Sequence, residues 1–169
     1  PFRVVAPCPA HQKPYTLPCP TTGFRLMRQL AILLILLVSA PASAEMPVIQ
    51  IKIANHVLST EVAHTQTSRT QGLMYRQSMG ENRGMLFVFP ETGYHSMWMV
   101  NTNIPLSVAF VDEKGVILNI ADMVPHTRTA HGAAGAAKYA IEANLGWFWE
   151  RGIKAGKHVS GLERAPAAE

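Results

Sequence analysis

The continuous apolar run Gly84-Met85-Leu86-Phe87-Val88-Phe89 constrains this chain more than any other feature. It is short and aromatic, and it lies between a polar link (Gln77 to Arg83) and a turn, Pro90-Glu91-Thr92-Gly93. A run of that length with those boundaries predicts a buried strand rather than a helix. The segments around it carry the same signature. Val48 to Ile53 is rich in β-branched residues, turns at Asn55-His56 and returns as Val57 to Ala63. Tyr94 to Val100 reads as a further strand. Leu106 to Asp112 and Val116 to Met123 form a hairpin about Glu113-Lys114-Gly115. Lys138 to Ala143 and His158-Val159 complete the set.

Two short helices interrupt the strands. Thr65 can cap one that runs through Gln71 and ends at Gly72 in the left-handed conformation. Asn144 can cap a turn holding Trp147, Phe148 and Trp149, which Gly152 ends. Pro125 to Ala137 is rich in Gly, Ala, His and Thr and is expected to be a long, mobile loop. The whole pattern predicts a mainly β fold: an antiparallel sheet curled into a barrel or sandwich, with two short helices.

Composition becomes informative once the chain is divided. Met27-Arg28 leads into an apolar stretch from Leu30 to Val38, and Ala42-Ser43-Ala44 supplies small residues two apart. This is the pattern of a signal peptide over residues 27–44, cleaved after Ala44. The apolar stretch falls short of the roughly 20 residues that a membrane span requires. Residues 1–26 read as an upstream extension outside the native start. The mature domain is expected over residues 45–164, with 165–169 as a frayed tail. The expected location is periplasmic or secreted, with no stable membrane span after cleavage.

Of the 15 Lys and Arg residues, Arg3, Lys13, Arg25 and Arg28 precede Glu45, so 15 − 4 = 11 remain against 11 Asp and Glu. A balanced domain lacks the basic face of a nucleic-acid binder. Cys8 and Cys19 are both upstream. The mature part therefore has no disulfide, no thiol nucleophile and no thiolate metal site.

Five stretches occur in one order: Gly72 to Arg76 (GLMYR), Gly84 to Phe89 (GMLFVF), Trp98 to Leu106 (WMVNTNIPL), Ile141 to Gly146 (IEA-x-x-G) and Gly156 to Val159 (GKHV). In these the chain resembles the bacterial and archaeal domain-of-unknown-function 192 family, over about residues 48–163. The resemblance implies a compact, mostly β domain, often exported, and supplies no reaction. It also implies an aspartate directly after Ile-Pro-Leu and an acidic residue after the late glycine. Ser107 and Lys157-His158 stand at those places here.

The candidate site starts from Trp98, placed between two methionines and followed by Asn101-Thr102-Asn103. Asn and Thr side chains also stabilise tight turns, so a packed indole beside a well-built turn is the structural alternative. As a site, Trp98 would stack on a ligand, Asn101 and Thr102 would hydrogen-bond it, Arg76 would supply positive charge, and Glu142 would border the same cleft. The expected partner is a small molecule or a cell-envelope component, with no cofactor. Arg76 and Glu142 could instead form a structural ion pair with each other.

Two other chemistries are open. His95, Met97 and Met99 would share one face of a regular strand, and thioethers suit copper(I). Burial would raise the pKa of Glu142, which would suit the general acid/base of an envelope hydrolase or lyase, with Asp122 as the partner it would need. No Gly-x-Ser-x-Gly elbow is present, and His126 and His131 lack the spacing and acidic partners of a zinc helix. Trp147, Phe148 and Trp149 are expected to plug an open end of the barrel. The alternative is an exposed patch for a partner, a saccharide or a membrane surface.

Overall fold

The computed structural model describes residues 45–169. The expected upstream extension and signal peptide, residues 1–26 and 27–44, lie outside the described residues. The strands are β1 (Val48–Ile53), β2 (His56–Ala63), β3 (Arg83–Gly93), β4 (Ser96–Met97), β5 (Leu106–Val111), β6 (Ile117–Met123), β7 (His131–Gly132), β8 (Ala137–Asn144) and β9 (Val159–Ser160). Helix α1 spans Gln66–Gln71, α2 spans Trp147–Glu150, and a 3-10 turn covers Leu162–Arg164.

Seven strands form one sheet in the order β6-β5-β8-β3-β2-β1-β9, and β4 pairs with β7 separately. The fold is mainly β and the large sheet is antiparallel, with one exception. β2 and β3 run parallel, Ser59 facing Arg83 and Ala63 facing Phe87. Their connection carries α1 and a loop, so the chain returns to the starting end before β3 begins.

The two edge strands meet at one corner. The amides of Ile117 and Val159 donate to Lys157 O (2.9 Å) and Gly115 O (2.8 Å), and Gly156 N–H donates to Ile117 O (2.8 Å). The sheet is thus curled into a half-barrel pinned at that corner. Gly115 permits the approach: its φ is +81°, and a Cβ there would lie 2.8 Å from Val159 O.

Successive residues of a strand point to opposite faces. The enclosed face draws Ile51, Leu58, Leu86, Ala109, Ile117, Ile141 and Val159 into one core, stoppered by Trp147 and Phe148. The outer face of the central strands forms a second core with Met85, Phe87, Phe89, Leu106, Val108 and Phe110, covered by Leu73, Met99 and Ile104 from the loops. Burial on both faces is why β3 and β5 read as continuous apolar runs while β1 alternates.

Four local readings are corrected. The strand expected over 94–100 is confined to Ser96–Met97, because its partner β7 offers only two residues. The segment expected to be a long loop contains that partner. The Asn119 side chain holds β7 from outside, donating to Gly132 O (3.0 Å) and accepting from Ala134 N–H (2.8 Å). Asn144 does not cap α2. Gly146 does, in the left-handed region (φ 80°), while the Asn144 amide donates to Met79 O and Gly80 O. Gly72 has the expected positive φ (47°) after α1, but its ψ of −132° lies outside the left-handed helical region. Thr65 caps α1 in a reciprocal box with Ser68.

Candidate functional site

Glu142 stands in the middle of β8, opposite Met85 on β3 and Val108 on β5. Its side chain projects to the outer face of the sheet, among apolar neighbours. Gly84 lets the β3 and β8 backbones approach closely: a Cβ at that position would lie 2.5 Å from the Glu142 backbone carbonyl oxygen. The Glu142 residue is only 3% exposed. Its carboxyl makes no hydrogen bond and no ion pair with any described residue. Burial alone pushes it up to about 8, with no charged neighbour contributing.

The carboxyl is nevertheless not sealed in. Among the described residues, no buried side-chain nitrogen or oxygen atom lacks a partner, so its oxygens keep access to open space. That space is a cavity of about 410 Å³. Leu73, Met74, Phe87, Phe89, Met97 and Trp98 supply apolar walls, and Arg69, Thr70, His95 and Thr102 supply polar points. Trp98 is 56% exposed at the lip, and Thr102 is buried inside.

The lip is tied down by its own residues. Tyr75 and Asn101 both hold positive φ, 65° and 56°, where side chains are strained. They clasp each other. Tyr75 N–H donates to Asn101 O (2.8 Å), and the Asn101 amide donates to the Tyr75 hydroxyl (3.1 Å). The Asn103 amide adds a bond to Arg76 O (3.3 Å). The loop after α1 and the loop after Met99 are thereby joined.

The structure brings Trp98, Thr102 and Glu142 to one cavity. Asn101 and Arg76 are not among its lining residues. Arg76 does not meet Glu142: β3 lies between β2 and β8, and Arg76 reaches β2 instead. There its guanidinium binds both oxygens of Glu61, at 2.6 and 2.5 Å. That pairing holds Glu61 below the usual carboxylate range and raises Arg76 above its own. Neither residue is among those that line the cavity.

His95 and Met97 line the cavity, while Met99 is fully buried away from it. The His95 ring stacks on Phe89 (3.7 Å between centroids) and hydrogen-bonds Glu91 O at 2.9 Å. Asp122 cannot partner Glu142. It projects to the opposite face of the sheet with Ser107, whose hydroxyl donates to it at 2.5 Å. No group of three or more His, Cys, Asp or Glu side chains suited to a metal ion occurs among the described residues.

Arg69 and the walls at Phe87 and Phe89 escaped the sequence reading, whereas the end of α1 at Gly72, Leu73 and Met74 borders the cavity as part of the expected cleft. Arg69 is held by Val88 O (3.2 Å), His64 O and Glu169 O (2.7 Å). Alternation along GMLFVF could have separated Met85, Phe87 and Phe89 from Leu86 and Val88. It could not have shown that Phe87 and Phe89 border a cavity while Met85 does not.

Fold and site together define a small, mainly β half-barrel domain with a pocket under loops on the outer face of its sheet. The chain belongs to the DUF192 family, described as an uncharacterised ACR, whose sequence model matches residues 49–161. Two solved structures resemble it. One is a Sinorhizobium meliloti 1021 protein provisionally described as a transcription regulator: 31% identity over 72% of this chain and 98% of that one, TM-score 0.69. The other is a protein of unknown function from Novosphingobium aromaticivorans DSM 12444: 32% identity over 72% of this chain and 89% of that one, TM-score 0.67. No curated protein matches the chain.

Proposed function

We propose that this is an exported protein that binds a small amphipathic ligand in the cavity under Trp98, in the periplasm or outside the cell. One observation carries the reading: the carboxyl of a residue that is otherwise buried, with no hydrogen-bond partner among the described residues, opens onto a cavity of ligand size. Its oxygens keep access to the cavity, so a ligand head group entering there would meet a hydrogen-bonding partner set in an apolar wall. Near neutral pH the carboxyl is mostly protonated, so it can both donate and accept. It suits a hydroxyl, amide or amine head, with the apolar body of the ligand against Phe87, Met97 and Trp98. Among the described residues Glu142 is the only carboxylate lining the cavity, which favours binding over two-carboxylate hydrolysis.

The apolar stretch and the small residues before Glu45 support export, with an envelope component as the natural ligand source. No helix among the described residues is long and apolar enough to cross a membrane. The description of the Sinorhizobium protein suggests a regulator. The equal count of 11 basic and 11 acidic residues from Glu45 onward does not favour a nucleic-acid face.

The test is a thermal-shift screen with straight-chain alcohols, primary amides and amines of graded length. At least one series raises Tm and quenches tryptophan fluorescence, and Trp98→Ala and Glu142→Leu both abolish the effect. The reading fails if no series binds, or if binding is indifferent to both substitutions.

A further inference from the structure

The opposite face of the sheet carries a second cavity, of about 730 Å³, between β6 and the segment that follows α2. Its lining includes Ser107, Asp122, Phe148, Trp149 and Lys154. Among the described residues it shares no lining residue with the first cavity. Three features of it are unexplained by folding.

First, α2 is firmly anchored, yet it presents a bare indole. Trp147 is buried, donates its indole N–H to Asn82 Oδ1 (3.2 Å) and lies under the Arg151 guanidinium at 4.7 Å. Phe148 is buried beside it. Trp149 is left 82% exposed at the cavity lip. Its anchored neighbours hold it as a pre-set platform, so little entropy is lost when a ligand covers it.

Second, the carboxylate is aimed by a relay. Gly146 N–H, at the start of α2, donates to Ser107 Oγ (2.9 Å), and Ser107 Oγ donates to Asp122 Oδ1 (2.5 Å). Ser107 is 1% exposed with its hydroxyl proton committed, so it is a positioning residue and no nucleophile. Asp122 Oδ2 has no hydrogen-bond partner among the described residues. Third, Lys154 lines the same cavity, and its ammonium makes no ion pair among the described residues.

We infer that this cavity is a second binding site, for a neutral saccharide. The indole would receive the apolar C–H face of a sugar ring. The free carboxylate oxygen accepts from ring hydroxyls, and the lysine ammonium donates to them. One negative and one positive group give the cleft no net charge, which disfavours a strongly ionic ligand.

The test titrates the full chain with N-acetylchitotriose, cellotriose and maltotriose, read by tryptophan fluorescence and calorimetry. At least one trisaccharide binds saturably. Trp149→Ala weakens it by about tenfold or more, Asp122→Asn by several-fold, and Tyr94→Ala, an exposed aromatic away from both cavities, leaves it unchanged. Trp149 and Asp122 are exposed, so their variants fold, which circular dichroism verifies. The proposal is overturned if none of the three sugars binds, or if Trp149→Ala binds as well as the parent.

Discussion

Glu142→Gln tests the central feature of the first cavity, because it keeps the shape of the side chain and removes its titration. In the folded protein the carboxyl keeps its proton up to about pH 8, against 4.5 for the ordinary group. Between those values the folded state binds more protons than the unfolded state, so stability falls as pH rises. The sign is opposite to that of an ion-paired carboxylate, whose stabilisation appears as pH rises. Each pH unit within the window costs about 1.4 kcal/mol. Integrated from acid pH, the penalty is about 3 kcal/mol near pH 7 and about 5 kcal/mol near pH 9. The glutamine variant escapes it. The stability difference between variant and parent is therefore small and constant near pH 4 and grows by these amounts toward alkaline pH. Urea unfolding of both proteins at closely spaced pH values measures it, with equal m-values confirming comparable unfolded states. All other titrating groups are common to both and cancel. A difference that stays flat, or that grows toward acid, refutes the buried and unpartnered acid.

Three further outcomes are expected. Gly84→Ala puts a methyl 2.5 Å from the Glu142 carbonyl oxygen, where only backbone could give way; it costs about 1–3 kcal/mol in urea unfolding, and a neutral result would mean the strands part easily. Arg76→Ala breaks the pair with Glu61, which is partly open to solvent; it costs about 1 kcal/mol at neutral pH. That gap closes as pH falls through the lowered Glu61 pKa, because the stabilisation exists only while Glu61 is ionised. Ser107→Asp alone sets a second carboxylate against Asp122 and destabilises, whereas Ser107→Asp with Asp122→Ser recovers most of the loss; a double-mutant cycle with coupling below about 0.5 kcal/mol would contradict the direct contact.

The strands were legible wherever one local rule acted alone. The β5–β6 hairpin follows from Glu113-Lys114-Gly115, β3 from its apolar run, and the start of α1 from Thr65. Features set by distant side chains were not legible. The brief β4–β7 pair depends on Asn119, and the Asn144 amide is drawn to the chain before β3 rather than to α2. The parallel β2–β3 pair depends on the path of a loop. At the site, Trp98, Thr102 and Glu142 lie in motifs that separate them from ordinary core. Arg76 was visible as a charge, but its partner Glu61 sits in a strand without a motif. The Ser107–Asp122 contact follows from strand register, Ser107 facing Asp122, which pairing alone decides.

That register also explains how one sheet can hold two cavities. β5 and β8 pair so that Ser107 faces Ala143 and Val108 faces Glu142. Consecutive positions project to opposite faces, so Ser107 serves the cavity beside α2 and Glu142 serves the cavity beneath Trp98. The resemblance implies an aspartate at position 107; here the carboxylate is carried across the β5–β6 ladder by Asp122 and still enters the α2 cleft, 2.5 Å from the serine hydroxyl. The shared ladder makes substitutions within β5 or β8 poor separators, since a shift in pairing moves both faces together. The lips come from unconnected segments, the loop holding Trp98 on one face and α2 with Trp149 on the other. Substitutions at those two indoles therefore separate the sites, while a change that disables both points to the sheet between them.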